Sequence, residues 1–88
     1  MDVRARIRHY FNKTIAEQIG DEDDIFELGV VDSLYAIQLV QFVENEFSIT
    51  AEREDLDINN FRSIAALTNF VLNKLGRARD GARAWTSD

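Results

Sequence analysis

Apolar residues recur at Val3, Ile7, Tyr10, Phe11, Ile15 and Ile19, mostly in steps of three or four. That spacing lays one stripe along a helix of period 3.6. Gly20 follows the last stripe position, where a left-handed C-terminal cap is expected, so a first helix is predicted over residues 3–19. The stretch 21–32 opens with Asp21-Glu22-Asp23-Asp24 and turns apolar at Ile25, Phe26, Leu28, Val30 and Val31. It is predicted to be a long ordered loop whose second half packs on the helices. Asp32 or Ser33 can serve as N-cap of a second helix over 33–47, with Ile37, Val40, Phe42, Val43 and Phe47 inward and Leu39 flanking them. A polar connection follows, anchored by Ile49, with a short helix or turn at 56–60. The last helix is predicted to start at the cap Ser63, to run through Ile64, Leu67, Thr68, Val71, Leu72 and Leu75 at helical spacing with Phe70 at its edge, and to stop at Gly76. Residues 77–88, including Trp85, lack periodicity and read as a disordered tail. The domain is then 1–76.

No alternation of strand type persists. The predicted fold class is all-α: a bundle of three main helices plus one short helix, with a long first loop. A chain of 88 residues is one domain with little room for a deep catalytic cleft. Hydrophobic residues at 45% and charged residues at 30% mark a folded globular chain. Cysteine is absent, which excludes disulfides and thiolate metal sites. No apolar run reaches the ~20 residues of a membrane span. Arg4, Arg6 and Arg8 near the start precede no signal-peptide core, so the expected location is the cytoplasm.

The formal net charge of −6 is uneven, since residues 21–57 hold twelve acids against one base, Arg53. Such a belt argues against nucleic acid, whose phosphates call for Lys and Arg. It favours partners with basic surfaces, found by electrostatic steering, although acids also serve simply to keep a small domain soluble. A calcium loop starting at Asp21 fails because Ile25 and Phe26 occupy the positions that need an oxygen ligand and glycine, and no metal site is expected.

The segment with most chemistry is Phe26-Glu27-Leu28-Gly29-Val30-Val31-Asp32-Ser33-Leu34. A serine at a helix start presents its hydroxyl at the rim of a bundle, beside the partial positive charge of the helix N-terminus, where a phosphate is favourably placed. A plain N-cap accounts for the same serine. A serine nucleophile would need a neighbouring base, and the lone His9, in the first helix, has no evident relation to a nucleophile, so no catalytic residue is assigned.

The stretch 28–34, followed by Ile37, Leu39, Val40 and Val43-Glu44-Asn45-Glu46-Phe47, resembles the acyl carrier and peptidyl carrier protein family across roughly residues 3–76. The resemblance implies an acyl-carrier-like bundle that is not an enzyme. It implies that Ser33 receives 4'-phosphopantetheine from coenzyme A through a phosphopantetheinyl transferase, and that the arm's thiol holds an acyl or aminoacyl group as a thioester. The expected partners are that transferase, an acyl- or aminoacyl-loading enzyme and a downstream synthase or transferase, meeting a monomer on Asp32, Leu34, Tyr35, Glu44, Glu46 and the acidic loop.

Two departures narrow the family. Val30 and Val31 stand between Gly29 and Asp32 where fatty-acid carriers usually have one residue, and Tyr35 and Gln38 stand where those carriers often place acids. The chain therefore looks more like D-alanyl carrier proteins and the discrete carriers of polyketide extender-unit pathways. The stretches 42–47 and 54–61 look closest to the latter, such as carriers of methoxymalonyl-type units in antibiotic biosynthesis. The readings left open are a D-alanyl or peptidyl carrier and, from another class, a helical protein-interaction domain with Ser33 unmodified.

Overall fold

The computed structural model describes residues 2–87, with side chains through Gly76. Three helices, α1 (Val3–Thr14), α2 (Ser33–Phe47) and α3 (Ile64–Ser87), are joined by a long first connection and by two 3₁₀ turns, Arg53–Asp55 and Ile58–Asn60. The all-α bundle is as expected, except that two single turns take the place of one short helix.

Helix α1 is capped by Asp2, whose carboxylate accepts the Ala5 N–H at 3.0 Å. It stops at Thr14, short of the predicted Ile19. Thr14 is β-branched, and its hydroxyl donates back to the Tyr10 carbonyl at 2.8 Å, a bond that competes with regular helix continuation. The chain is extended at Ile15 (φ −117°, ψ 125°). Non-helical backbone still brings Ile15 and Ile19 into the core, so the stripe was real while the helix beneath its last two positions was not. Gly20 caps no helix; its N–H donates to Asp23 Oδ2 at 2.8 Å.

The long connection is tied to both outer helices. Asp21 pairs with Arg4 and Arg8 of α1, and its carbonyl accepts the Ala65 N–H of α3 at 2.9 Å. Ile25 is fully buried and its N–H bonds the Arg62 carbonyl at 2.8 Å, while Asp24 pairs with Arg62 at 2.9 Å. Phe26, Val30 and Val31 pack on the core, as the apolar second half of the segment implied.

The bounds of α2 match the prediction, but its inward face is turned. Tyr35, Leu39, Val43 and Phe47, spaced by four, are buried. Leu39 is central rather than flanking, Val40 and Phe42 are only partly covered, and Ile37 is 56% exposed. Ser63 caps α3 by accepting the Ala66 N–H at 3.0 Å, and Ile64, Leu67, Phe70 and Val71 are buried. Leu75 packs at the margin, Leu72 on the predicted stripe is 51% exposed, and Phe70 lies in the core instead of at its edge. The backbone of α3 runs through Gly76 to Ser87, so that glycine does not end the helix as predicted. A glycine inside a helix costs only about 1 kcal/mol relative to alanine, which does not by itself stop the helix. The side chains of 77–88, Trp85 included, lie outside the described residues, and so does the reading of that stretch as a tail.

Candidate functional site

Ser33 is the first residue of α2 and its side chain is exposed. The cap belongs to its neighbour: Asp32 Oδ1 accepts the Tyr35 N–H at 3.1 Å and the Asp32 carbonyl accepts the Ala36 N–H at 3.3 Å. Capping therefore does not engage the Ser33 hydroxyl. It stands in the first helical turn, where backbone N–H groups and the helix dipole favour an anionic substituent.

The approach to this turn is shaped by the loop. Asp24 Oδ1 accepts the N–H groups of Phe26 and Glu27, each at 3.0 Å, and folds the chain toward Gly29. Gly29 has φ +74°, a left-handed conformation that a side chain would strain. The Glu27 N–H holds the Asp24 carboxyl below the ordinary carboxylate range, with further help from Arg62 and against the opposing effect of burial.

A groove of about 570 Å³ begins at Ser33. One side is α2, through Ser33, Ala36, Ile37 and Val40; the other is the connection to α3, through Leu56, Asp57, Ile58 and Phe61, with Phe26 also lining it. Its lining is largely apolar, and Gln41 and Glu44 add polar groups. Leu56 and Ile58 were not foreseen as site residues. Their signal was two apolar side chains in an otherwise acidic and polar stretch, too short to show a period.

The predicted docking residues separate. Leu34 is 60% exposed and adjoins Ser33, and Asp32 is exposed while acting as cap. Tyr35 is only 9% exposed, which removes it from the docking surface: its ring meets Phe11 edge-on and its hydroxyl lies against Thr14. Glu44 Oε2 accepts the Ala51 N–H at 2.9 Å and Glu46 pairs with Arg6 at 2.6 Å, so both acids are engaged within the fold. Between Asp32 and Glu44 the helix carries no charged residue. His9 is exposed on α1 in a hollow with Arg6, Lys13 and Glu46, apart from the Ser33 groove. Among the described residues no three His, Asp or Glu side chains gather as a metal site would require, and no helix is long and apolar enough to cross a membrane.

An exposed hydroxyl in the first turn of a helix, a cap supplied by another residue and an apolar groove starting at that hydroxyl together fit a phosphate-linked arm with a cargo at its end. The model of the phosphopantetheine attachment site family matches residues 3–71. The chain is similar to the D-alanyl carrier protein of Leuconostoc mesenteroides subsp. mesenteroides, with 38% identity over 53 residues, covering 58% of this chain and 68% of the relative. It is also similar to the D-alanyl carrier proteins of Streptococcus mutans serotype c (31% over 52 residues, 57% of this chain and 66% of the relative) and Streptococcus gordonii (33% over 51 residues, 56% and 65%). The matched stretch thus spans about two thirds of each relative's length. No solved structure matches the chain.

Proposed function

Because the chain belongs to the phosphopantetheine attachment site family of carriers, we propose that Ser33 bears its 4'-phosphopantetheine and that the chain passes a small acyl or aminoacyl group from a loading enzyme to an acceptor enzyme. The observation that supports Ser33 is its exposed hydroxyl at the start of α2, left unused by a cap that Asp32 provides. Attachment joins the Ser33 oxygen to the pantetheine-bearing phosphorus of coenzyme A, breaks the diphosphate linkage and releases the nucleotide with the other phosphate. The bound group supplies the thiol that this cysteine-free chain lacks. Ser33 would hold it, and Ile37, Val40, Leu56 and Ile58 would offer an apolar surface to the arm and to any cargo long enough to reach them. The chain's own part is to display, shield and deliver; bond making belongs to its partners.

The cargo is D-alanyl in the first reading, which the names of the relatives favour. The polyketide extender-unit reading rests on the resemblance of 42–47 and 54–61 alone. A monomer working in the cytoplasm is consistent with either. Incubation with coenzyme A and a phosphopantetheinyl transferase, followed by intact-mass measurement, tests the attachment. One arm should add to the wild type and none to Ser33→Ala; an unchanged wild-type mass, or an equal gain by the variant, overturns it. Supplying D-alanine or a malonyl-type donor with candidate loading enzymes separates the cargoes.

A further inference from the structure

We propose that Asp55 and Lys74 form a positioning pair that fixes the outer wall of the groove and thereby governs how well an apolar cargo is shielded from attack. The proposal rests on the carrier reading above and adds a role for two residues remote from Ser33.

From residue 52 to residue 60, Asp55 is the only buried side chain, at 7% exposure. The wall residues Leu56 and Ile58, on the same segment, are both more than half exposed. Between Ala51, packed against the core, and the buried Phe61 at its far end, this wall is thus held to the bundle by a carboxylate. Asp55 Oδ2 accepts from Lys74 Nζ of α3 at 2.7 Å and from the Glu52 N–H at 2.9 Å. The Asp55 carbonyl accepts from Asn60 Nδ2 and from the Asp57 N–H, each at 2.8 Å. One residue therefore gathers both 3₁₀ turns and pins them to α3.

A buried ion pair is a poor way to gain stability, because removing two charges from water offsets most of their attraction, whereas its geometry is specific. Here the specificity falls on the two apolar side chains that face Ser33 and Ile37 across the groove. Releasing the pin frees Leu56 and Ile58 to swing outward and widens the groove. It leaves the α2 turn that presents Ser33 in place.

The test compares wild type, Lys74→Met, Asp55→Asn and Lys74→Arg, each loaded by a transferase from octanoyl- or acetyl-coenzyme A and then exposed to hydroxylamine. Hydroxylamine nitrogen attacks the thioester carbon, the C–S bond breaks, and a hydroxamate and the free thiol are released. In Lys74→Met and Asp55→Asn, octanoyl release should accelerate roughly tenfold as the open population grows, while acetyl release, too short to use the wall, should not change. Lys74→Arg, which restores the cation, should recover most of the protection. Octanoyl release at the wild-type rate in both disrupted variants overturns the proposal. So does equal acceleration of both cargoes, which is general loosening, and so does failure of rescue by arginine. Absence of any label on wild-type Ser33 instead overturns the carrier reading, and this proposal falls with it.

Discussion

The Tyr35 hydroxyl lies 2.5 Å from Thr14 Oγ1, joining the first turn of α2 to the last residue of α1. Thr14 in turn donates to the Tyr10 carbonyl, and the Tyr10 ring stacks on Phe42 at 4.0 Å between centroids. The contact explains why Tyr35, although it neighbours the attachment turn, faces inward. Tyr35→Phe should cost about 0.5–1.5 kcal/mol, the worth of one hydrogen bond, as read by denaturant unfolding. Burial pushes the Tyr35 phenol above its ordinary value of 10.0, against the opposing effect of the Thr14 bond. Since the folded pKa is raised, the stabilisation is complete below pH 10.0 and is lost as pH climbs toward the folded value. Phenolate absorbance in a Tyr10→Phe background should appear later than for a free tyrosine; an ordinary titration would show that the ring is not buried.

Acid should act through Asp21. Hydrogen bonds from Arg8 and then Arg4 hold its carboxyl below the ordinary value of 3.8. A depressed folded pKa means that the stabilisation is present above 3.8 and is lost as pH falls through the lower folded value. Stability measured by circular dichroism should fall more steeply below pH 3.8 in the wild type than the other carboxylates alone would dictate. Asp21→Asn should be less stable at neutral pH and have a flatter pH dependence below about pH 4. Superimposable acid profiles would dismiss the clamp.

The register of α2 is open to a paired substitution. Leu39→Ala empties a fully buried site and should cost roughly 2–5 kcal/mol. Ile37→Ala, on the exposed face, should stay within about 0.5 kcal/mol of wild type. Thermal unfolding that ranks the two the other way would place the wrong face inward.

Capping and attachment should come apart. Asp32→Ala removes the carboxylate from the Tyr35 N–H and should cost about 0.5–2 kcal/mol. Ser33→Ala should leave the unfolding midpoint nearly unchanged while abolishing the mass gain. A large stability loss in Ser33→Ala would mean that the hydroxyl is part of the fold.

The sequence disclosed most where one physical signal stood alone. Ser63 and the Asp32-Ser33 pair are legible as caps, and the two helices begin where predicted, although the structure was needed to give the second cap to Asp32. The all-α class and the ordered first loop followed from periodicity and from apolar residues in an acidic segment. Misreadings arose where two structures satisfy one pattern. Ile15 and Ile19 reach the core from non-helical backbone as well as they would from a helix. Helix α2 holds more apolar residues than one buried stripe can use, so spacing alone could not choose between Ile37 and Tyr35. Part of the excess, Ile37 and Val40, lines the groove. That groove is formed between segments about twenty residues apart in sequence, Ser33–Val40 against Leu56–Phe61, and no local pattern encodes such a meeting.

The uncharged stretch of α2 between Asp32 and Glu44 has a consequence for traffic. Acids elsewhere on the chain can draw a basic enzyme near, but along eleven successive side chains there is no charge by which it could set its docking angle. For a partner docking on α2, fit of surface relief would do the sorting, and added salt should slow arrival while leaving the ranking of rival enzymes intact.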